Sequence, residues 1–302
     1  MNTEKVIKCP VCEGSSFSPY LVAKDYTVSR ESFSIVRCNG CGFVLTNPRP
    51  TAEAIGAYYE SSEYISHHDE AKDMMSRIYK TVRNYTTDQK LQLIQQHSAK
   101  QTSRRLLDVG CGTGFFASHA KAAGWQVAGT EPDRQAREVA QSRVGEHVYE
   151  SIGAEYFIGK KFDVITLWHV LEHVHQLNEM IAWLHEHLAD DGLLVIAVPN
   201  HESADAQAFG SHWAAWDVPR HLYHFSKTSM QRLMKKNTFH VKQIEPMWFD
   251  AFYVSMLSSR YQQGATQLPK SIWTGLRSNL KGRKGNGSDY NTSSLIYLIQ
   301  KK

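Results

Sequence analysis

A segment in the second half of the chain carries two histidines and a carboxylate directly after an apolar stretch. In FDVITLWHVLEHV, residues 162–174, His169, Glu172 and His173 stand at positions i, i+3 and i+4. They share one face if this turn is helical. Two imidazoles and a carboxylate could bind a divalent cation, or provide a base held by an acid. The alternative is structural, with His173 capping the next helix and Glu172 anchoring a loop.

A second run, HWAAWDVPRHLYHFS at residues 212–226, is too aromatic for an ordinary exposed loop. We predict that an insert at 201–226 forms a lid over an acceptor pocket, where Arg and His side chains hold an anionic or hydroxylated substrate. Histidine suits proton removal near pH 7, so His169 is the first candidate base, followed by His221 and His224. Substrate contacts are predicted for Glu172, His173, Trp216, Arg220 and Tyr223.

Four cysteines near the N-terminus form two C-x-x-C pairs, Cys9 with Cys12 and Cys38 with Cys41. Each pair lies among turn-forming Pro and Gly residues, and the segments between them alternate like strands. This spacing is typical of a zinc ribbon with four thiolate ligands. A closed four-cysteine shell leaves no open coordination position, so the expected Zn²⁺ is structural. A redox role for the pairs is the alternative.

The run LLDVGCGTGF at 106–115 predicts a buried strand, a sharp glycine-rich turn and the start of a helix. Glycines let the backbone lie close to a ligand, and the new helix directs N–H groups at it. The next predicted strand ends at Glu131, about 20 residues after the turn, where an acid meets ribose hydroxyls in doubly wound folds. A nucleoside cofactor is therefore expected here, the alternative being a Rossmann-like turn without a nucleotide.

The combination of Asp108, the G-x-G-x-G turn and Glu131 resembles class I S-adenosylmethionine-dependent methyltransferases. The resemblance implies that Asp108 and the glycines flank the methionine end of the cofactor and that Glu131 holds both ribose hydroxyls. The cofactor-binding residues that it implies are Asp108, Gly110, Cys111, Gly112, Gly114, Phe115, Glu131, Pro132, Ser151, Trp168 and His169.

Strand-like and helix-like segments alternate from about Arg105, which predicts a parallel sheet with helices on both faces. We expect an α/β fold with a Rossmann-like class I methyltransferase sheet, parallel with a final antiparallel strand. A small zinc ribbon and linker helices precede it. The expected domains are the ribbon at 1–46, linker helices at 47–100, and the S-adenosylmethionine-binding domain at 101–302. One linker helix starts near Thr51, and a longer one at 71–98 could lean over the cofactor mouth.

Composition is that of an ordinary globular protein. The 302 residues are 42% hydrophobic and 21% charged, with a net charge of +4 that demands no nucleic-acid partner. We find no apolar leader and no run of about 18 apolar residues that would span a bilayer, so a cytoplasmic location without membrane insertion is expected.

The whole arrangement resembles a bacterial family of zinc-ribbon methyltransferases, and the LEH run is similar to ubiquinone-pathway O-methyltransferases. The resemblance implies transfer of a methyl group to a small-molecule acceptor, such as a sugar, a polysaccharide precursor or an aromatic hydroxyl. Two alternatives remain. The ribbon and a basic segment at 281–294 would suit an rRNA or tRNA methyltransferase, and a non-catalytic zinc-ribbon interaction protein could retain the cofactor fold.

Overall fold

The N-terminal part of the chain forms a small antiparallel sheet, as the cysteine spacing predicted. The computed structural model describes residues 2–59, 74–98, 103–264, 283–284 and 289–302. The strands of this part are β1 (Thr3–Glu4), β2 (Phe17–Lys24), β3 (Ser32–Cys38), β4 (Val44–Thr46) and β5 (Arg49–Pro50). β2, β3 and β4 pair in that order, and β1 pairs with β5.

The linker differs from the two predicted helices. The helix expected from Thr51 is a single 3₁₀ turn at Ile55–Tyr58, and Ala54 precedes it without a side-chain cap. Gly56 within this turn disfavours a longer helix, because glycine loses more backbone freedom than any other residue. The second helix, α1, runs over Met74–His97. The start predicted for it at 71–73 lies outside the described residues.

The larger part of the chain is built on a seven-stranded sheet. Along the chain its strands are β6 (Arg105–Val109), β7 (Gln126–Thr130), β8 (Val148–Tyr149), β9 (Phe162–Trp168), β10 (Leu188–Pro199), β12 (Phe239–Pro246) and β15 (Ser294–Lys301), with β11 (Tyr223–His224), β13 (Arg283–Lys284) and β14 (Asp289–Tyr290) outside it. β8 is the shortest strand of this sheet, with 2 residues, and β10 is the longest, with 12.

The strand order is β12-β15-β10-β9-β6-β7-β8. β15 is antiparallel to both of its neighbours, and the other adjacent pairs are parallel. This confirms the predicted α/β fold with a mostly parallel sheet and a final antiparallel strand. Its carboxyl edge, where β6, β7 and β9 end, is the expected place for ligands.

Helices accompany the sheet on both faces. They are α2 (Phe115–Ala122), α3 (Arg134–Val144), α4 (Leu177–His187), α5 (Ala204–Phe209), α6 (Lys227–Lys236) and α7 (Asp250–Gln263). Alternate residues of the strands belong to two different apolar clusters, since successive side chains point to opposite faces of the sheet. Leu107 and Ile165 belong to one cluster, and Leu106 and Val164 belong to the other. In the part of the chain that the structure describes, no helix is both long and apolar enough to cross a membrane.

The aromatic insert does not form the predicted lid. It folds into α5 and two 3₁₀ turns, Gly210–His212 and Ala214–Trp216, and its strand β11 pairs with β4 of the ribbon. Trp213 and Trp216 share an apolar cluster with Ile35 and Val44 of the ribbon sheet. Burying two large aromatic side chains against that sheet is favourable, which explains why the insert attaches the ribbon instead of facing solvent.

Candidate functional site

The glycine-rich turn lies at the carboxyl edge of β6 and has the backbone that the sequence predicted. Gly110, Gly112 and Gly114 all have positive φ angles. At Gly110, with φ +66°, an added Cβ would lie 2.6 Å from Cγ2 of Val170. A side chain there would meet both a strained backbone and a neighbouring atom, so the turn can pass this close to Val170 only with glycine.

The N-terminus of α2 opens onto this turn. Gly114 precedes the helix without a side-chain cap, and Phe115 begins it. The first N–H groups of a helix have no partner within the helix, and together they favour a negatively polarised ligand. This uncapped end is therefore suited to a nucleoside cofactor.

Glu131 lies beside the turn, as its spacing predicted. Its two carboxylate oxygens accept hydrogen bonds from the backbone N–H groups of Gly112 at 2.8 Å and Asp133 at 3.0 Å. Burial raises the pKa of Glu131. A carboxylate has about four acceptor sites, so each oxygen can still receive a hydroxyl hydrogen bond. The fixed carboxylate is suited to a ribose.

Asp108 is buried at the end of β6. Its carboxylate accepts a 2.7 Å hydrogen bond from Oγ1 of Thr166. Burial raises the pKa of Asp108 to about 7, because desolvation disfavours its charged form. A cationic amine of a bound cofactor would restore the charged carboxylate.

Four other predicted cofactor residues lie near the same edge, but their contacts differ. Cys111 turns its sulfur toward β7, where a Cβ on Gly129 would lie 3.0 Å from it. Phe115 lies under the guanidinium of Arg83 from α1, 4.0 Å from the ring centroid. Pro132 accepts a hydrogen bond from Arg137. Ser151 is exposed in the turn after β8.

Trp168 ends β9 beside a lysine that the sequence reasoning missed. The Nζ atom of Lys90, on α1, lies 4.3 Å from the Trp168 ring centroid. Burial lowers the pKa of Lys90, while Asp250 and Asp108 act to raise it. The indole Nε1 of Trp168 is buried and has no hydrogen-bond partner among the described residues. α1 therefore contacts the carboxyl end of β9, but no sequence pattern singles out its lysine.

His169 follows Trp168 in a strained conformation, with φ +57°. Such strain costs of order 1–3 kcal/mol and is characteristic of functional sites. Nδ1 lies 3.3 Å from Oε1 of Glu172, and Nε2 lies 2.9 Å from Oδ2 of Asp250. Despite burial, these two carboxylates raise the pKa of His169 to about 10. This corrects the expectation of a free base, because both ring nitrogens lie beside carboxylates that favour the protonated ring.

His173 does not share a face with His169 in the way the spacing suggested, although Glu172 contacts the His169 ring. Residues 171–173 form a 3₁₀ turn, which sends the two imidazoles in different directions. Nδ1 of His173 lies 3.1 Å from the backbone carbonyl of Arg220 and 2.9 Å from the hydroxyl of Tyr59. His173 therefore contacts the insert and does not form the predicted group with His169.

Arg220 is fully engaged inside the protein. Its guanidinium bonds to Asp217, to Asp25 and to the backbone carbonyl of Tyr58. Its side chain is 1% exposed. These carboxylates raise the pKa of Arg220, whereas backbone hydrogen bonds from Ser29 and Thr27 and the charge of Arg220 lower that of Asp25. No face of the guanidinium is open to a ligand. The expectation that Arg220 contacts the substrate is therefore corrected.

The other predicted insert residues are also buried by the ribbon. The indole of Trp216 donates to the carbonyl of Gly210. The hydroxyl of Tyr223 donates to the carbonyl of His175 and accepts a hydrogen bond from Arg49. Because their polar atoms are satisfied within the protein, the structure corrects the substrate contacts expected of both side chains.

The two insert histidines predicted as bases are buried as well. Nε2 of His224 lies 3.1 Å from Oγ1 of Thr46 in the ribbon. Burial and neighbouring histidines lower the pKa of His224 well below its usual value. Nδ1 of His221 lies 2.9 Å from the carbonyl of Ala215. Because His224 is buried between β4 and the insert, the structure corrects the expectation that it acts as a base.

A cleft of about 560 Å³ opens between α1 and the segment that joins β12 to α7. This volume is in the range of small-molecule sites. Lys90 and Asp250 lie in the cleft, so it reaches the His169 pair, and Tyr253 and Phe249 stand exposed at its wall. His221 and His224 are not among the described residues that line it. The lining is Val82, Arg83, Thr86, Gln89, Lys90, Gln92, Leu93, Gln96, Glu245, Pro246, Met247, Trp248, Phe249, Asp250, Tyr253 and Ile296.

The four ribbon cysteines converge, with all their sulfur atoms within 4.8 Å of one another. The sulfurs of Cys9 and Cys41 are 3.5 Å apart, as are those of Cys12 and Cys38. Sulfurs around a tetrahedral zinc, with Zn–S near 2.3 Å, lie ~3.8 Å apart. The donor set and its spacing fit one Zn²⁺ ion.

Comparison with known proteins finds similarity to methyltransferases. A family model described as a methyltransferase domain matches residues 81–244. Ubiquinone biosynthesis O-methyltransferase of Rickettsia canadensis (strain McKiel) is 24% identical over 204 residues, which cover 63% of this chain and 86% of that protein. A protein of the same name from Histophilus somni (strain 2336) is 33% identical over 122 residues, 37% of this chain and 51% of that protein.

Among solved structures, similarity extends to magnesium protoporphyrin IX methyltransferase from Synechocystis PCC 6803 with bound SAH. The TM-score is 0.53 at 12% sequence identity, covering 83% of this chain and all of that one (100%). At this identity the likeness establishes the fold and leaves the acceptor open.

Proposed function

The chain belongs to the methyltransferase-domain family and is an S-adenosylmethionine-dependent methyltransferase, and from this premise we propose that it methylates a small-molecule acceptor. The acceptor that we propose is a sugar, a polysaccharide precursor or an aromatic hydroxyl. The observation that carries this proposal is the cleft of about 560 Å³ between α1 and the segment that joins β12 to α7, which is lined by Asp250 of the Asp250–His169 pair.

The glycine-rich turn is the proposed cofactor site. We assign the ribose hydroxyls to Glu131, and the methionine end to Asp108 and the backbone around Gly110 and Gly112. The uncapped N-terminus of α2 and the buried, unpartnered Nε1 of Trp168 support this assignment. When bound, S-adenosylmethionine supplies a methyl group that its sulfonium already activates, so the protein mainly positions the acceptor and takes its proton.

Aromatic side chains at the cleft favour a planar or ring-shaped acceptor. Phe249 and Tyr253 expose 36% and 49% of their surface, and Tyr85 meets Phe249 edge-on at 5.7 Å. Exposed aromatic faces can pack against rings, while amide and charged groups at the cleft can bond to hydroxyls. A ring with hydroxyl groups satisfies both kinds of contact.

Asp250 is the group that we propose to take the acceptor proton. Its carboxylate lines the cleft and remains charged, because His169 lowers its pKa. Both ring nitrogens of His169 lie beside carboxylates that favour the protonated ring, so its proposed role is to orient Asp250 and to stabilise its charge. As the methyl carbon bonds to the acceptor oxygen, the bond from carbon to sulfur breaks and the hydroxyl proton moves to Asp250.

The four ribbon cysteines hold a structural Zn²⁺ in this proposal. Their four sulfur atoms would complete the coordination of the ion, and Cys9 and Cys38 belong to the same apolar cluster as the core of the sheet. The metal would therefore stabilise the ribbon against the catalytic domain and would not contact the acceptor.

Labelled methyl transfer tests the proposal directly. The full chain is incubated with cofactor carrying a labelled methyl group and with a cell extract, which is then separated into small-molecule, RNA and protein fractions. We expect label in the small-molecule fraction, reduced when Tyr253→Ala is used. Label confined to RNA would overturn the proposed acceptor, and cofactor binding without transfer to any fraction would favour a non-catalytic role.

A further inference from the structure

A second cluster of metal-ligating side chains lies away from the ribbon cysteines. It joins Glu172 and His173, in the turn after β9, to His221 of the insert. One ligand atom from each residue lies within 4.8 Å of the other two. Glu172 is fully buried and His221 is 8% exposed. Residues distant in sequence thus bring three potential ligands to one buried point.

Hydrogen bonds fix the orientation of both imidazoles. Nδ1 of His173 lies 3.1 Å from the carbonyl of Arg220, and Nδ1 of His221 lies 2.9 Å from the carbonyl of Ala215. A carbonyl only accepts hydrogen bonds, so we assign the proton of each ring to Nδ1, and the Tyr59 hydroxyl, 2.9 Å from Nδ1 of His173, then accepts from the same N–H group. Each Nε2 then carries a lone pair. Metal-ligating histidines are held in this way, with the second nitrogen bonded to a carbonyl or carboxylate.

The carboxylate of Glu172 is only half satisfied. Oε1 lies 3.3 Å from Nδ1 of His169. Oε2 is buried and has no hydrogen-bond partner among the residues that the structure describes. A buried carboxylate oxygen without a partner is costly. The cluster therefore brings together lone pairs and negative charge, and a bound cation would satisfy all of them at once.

The neighbouring charged side chains do not supply the hydrogen bond that Glu172 lacks. Oδ2 of Asp217 lies 3.8 Å from Nε2 of His221, but both Asp217 oxygens accept hydrogen bonds from Arg220. Arg220 is in turn committed to Asp25. Its charge is thus matched by these two carboxylates, and neither Arg220 nor Asp217 supplies a donor to Glu172.

We propose that Glu172, His173 and His221 bind a divalent transition-metal ion, with Zn²⁺ fitting the ligand set of two imidazoles and one carboxylate. This site is separate from the four-thiolate ribbon and does not depend on which acceptor is methylated. Its three protein ligands leave one coordination position for a further oxygen ligand. A metal here would fasten the insert to the turn that carries His169.

Metal content of the full chain tests the site. The chain is dialysed with Zn²⁺, freed of excess metal and analysed for bound zinc. We expect two zinc ions per wild-type chain, and one in His221→Gln and in Glu172→Gln. His212→Gln, in the same insert but outside the cluster, is the matched control and keeps both ions. Co²⁺ in place of Zn²⁺ distinguishes the sites, because only the thiolate site gives intense sulfur-to-cobalt absorption.

The wild-type count is decisive even if a variant misfolds. One ion per chain, accompanied by the full thiolate absorption of Co²⁺, would overturn the proposal. Two ions that both persist in the correctly folded Glu172→Gln and His221→Gln variants would overturn it as well. Retained thiolate absorption and an unchanged circular dichroism spectrum identify the correctly folded variants.

Discussion

Arg220 of the insert and Asp25 of the ribbon form an ion pair that is buried from solvent. Nη2 of Arg220 lies 3.2 Å from Oδ1 of Asp25, and the side chains are 1% and 0% exposed. Asp25 also accepts hydrogen bonds from the backbone and side chains of Thr27 and Ser29. The pair joins the ribbon to the insert, so its main consequence is structural.

Replacing Arg220 with Met should destabilise the chain by about 3–5 kcal/mol, because Asp25 would remain as an uncompensated buried charge. Urea unfolding measures this change. The matched control is Arg134→Met, which removes the exposed pair between Arg134 and Glu138. That control should change the free energy of unfolding by at most about 0.5 kcal/mol. Equal effects of the two variants would contradict the structural role of Arg220.

Gly110→Ala should weaken binding of S-adenosylhomocysteine at least about tenfold. The added Cβ would lie 2.6 Å from Val170, so the turn would have to move. Isothermal titration calorimetry gives the affinity. Gly159→Ala is the control: φ there is +69°, and nothing lies within 4 Å of its Cβ. It should lower stability but leave the affinity unchanged, and an equal loss of affinity in both variants would exclude a local effect of the turn.

Asp108 should make the cofactor-free protein less stable as pH rises. Burial raises its pKa to about 7 from the ordinary value of 3.8, so the folded state binds this proton more tightly than the unfolded state. Its contribution is fully present below pH 3.8 and is lost as pH rises to about 7. Relative to wild type, Asp108→Asn should therefore gain on the order of 4 kcal/mol between acidic pH and pH 8.

Urea unfolding at several pH values checks the Asp108 prediction. Asp88→Asn, which alters an exposed carboxylate on α1, is the control and should show no comparable gain. A constant difference between Asp108→Asn and wild type across the pH range would mean that this carboxyl is not perturbed. Asp108→Asn should also bind the cofactor more weakly, because the variant cannot become negatively charged.

Asp250→Asn should reduce kcat about 100-fold or more, the lower range for loss of an acid–base group. Affinity for S-adenosylhomocysteine should stay near that of wild type, because the proposed cofactor contacts lie at the glycine-rich turn. Glu245→Gln alters another carboxylate of the cleft and should retain most of the turnover. If Asp250→Asn also keeps full turnover, the proton is taken by another group.

Removal of the ribbon zinc should lower the stability of the whole chain. Cys12→Ser deletes one ligand, and the ribbon shares an apolar cluster with the sheet through Cys9, Val11 and Phe43. We expect a lower thermal midpoint and loss of the thiolate-bound zinc. Cys111→Ser, outside the ribbon, should keep this zinc. A variant that lost zinc but kept the wild-type midpoint would show that the ribbon is not energetically coupled to the sheet.

Local sequence determined the sheet and the turn at its carboxyl edge. Apolar runs with the right period predicted β6, β7 and β9 closely, because strand and helix periods are encoded in neighbouring residues. The G-x-G-x-G spacing predicted a sharp turn at Gly110, since tight turns of this kind need residues without side chains. The paired C-x-x-C spacing likewise predicted a convergent set of thiols. Each of these features depends on residues close together in the chain.

Only the tertiary structure decided which distant side chains meet. The sequence grouped His169 with His173, but a 3₁₀ turn separates them and brings Asp250 to one and His221 to the other. It also suggested that Arg220 faces a substrate, whereas the ribbon supplies Asp25 to bury its charge. Such contacts depend on how the insert and α7 pack across the sheet edge. The pattern of residues along the chain does not predict that packing, because it arises from apolar surfaces and charges that are far apart in the chain.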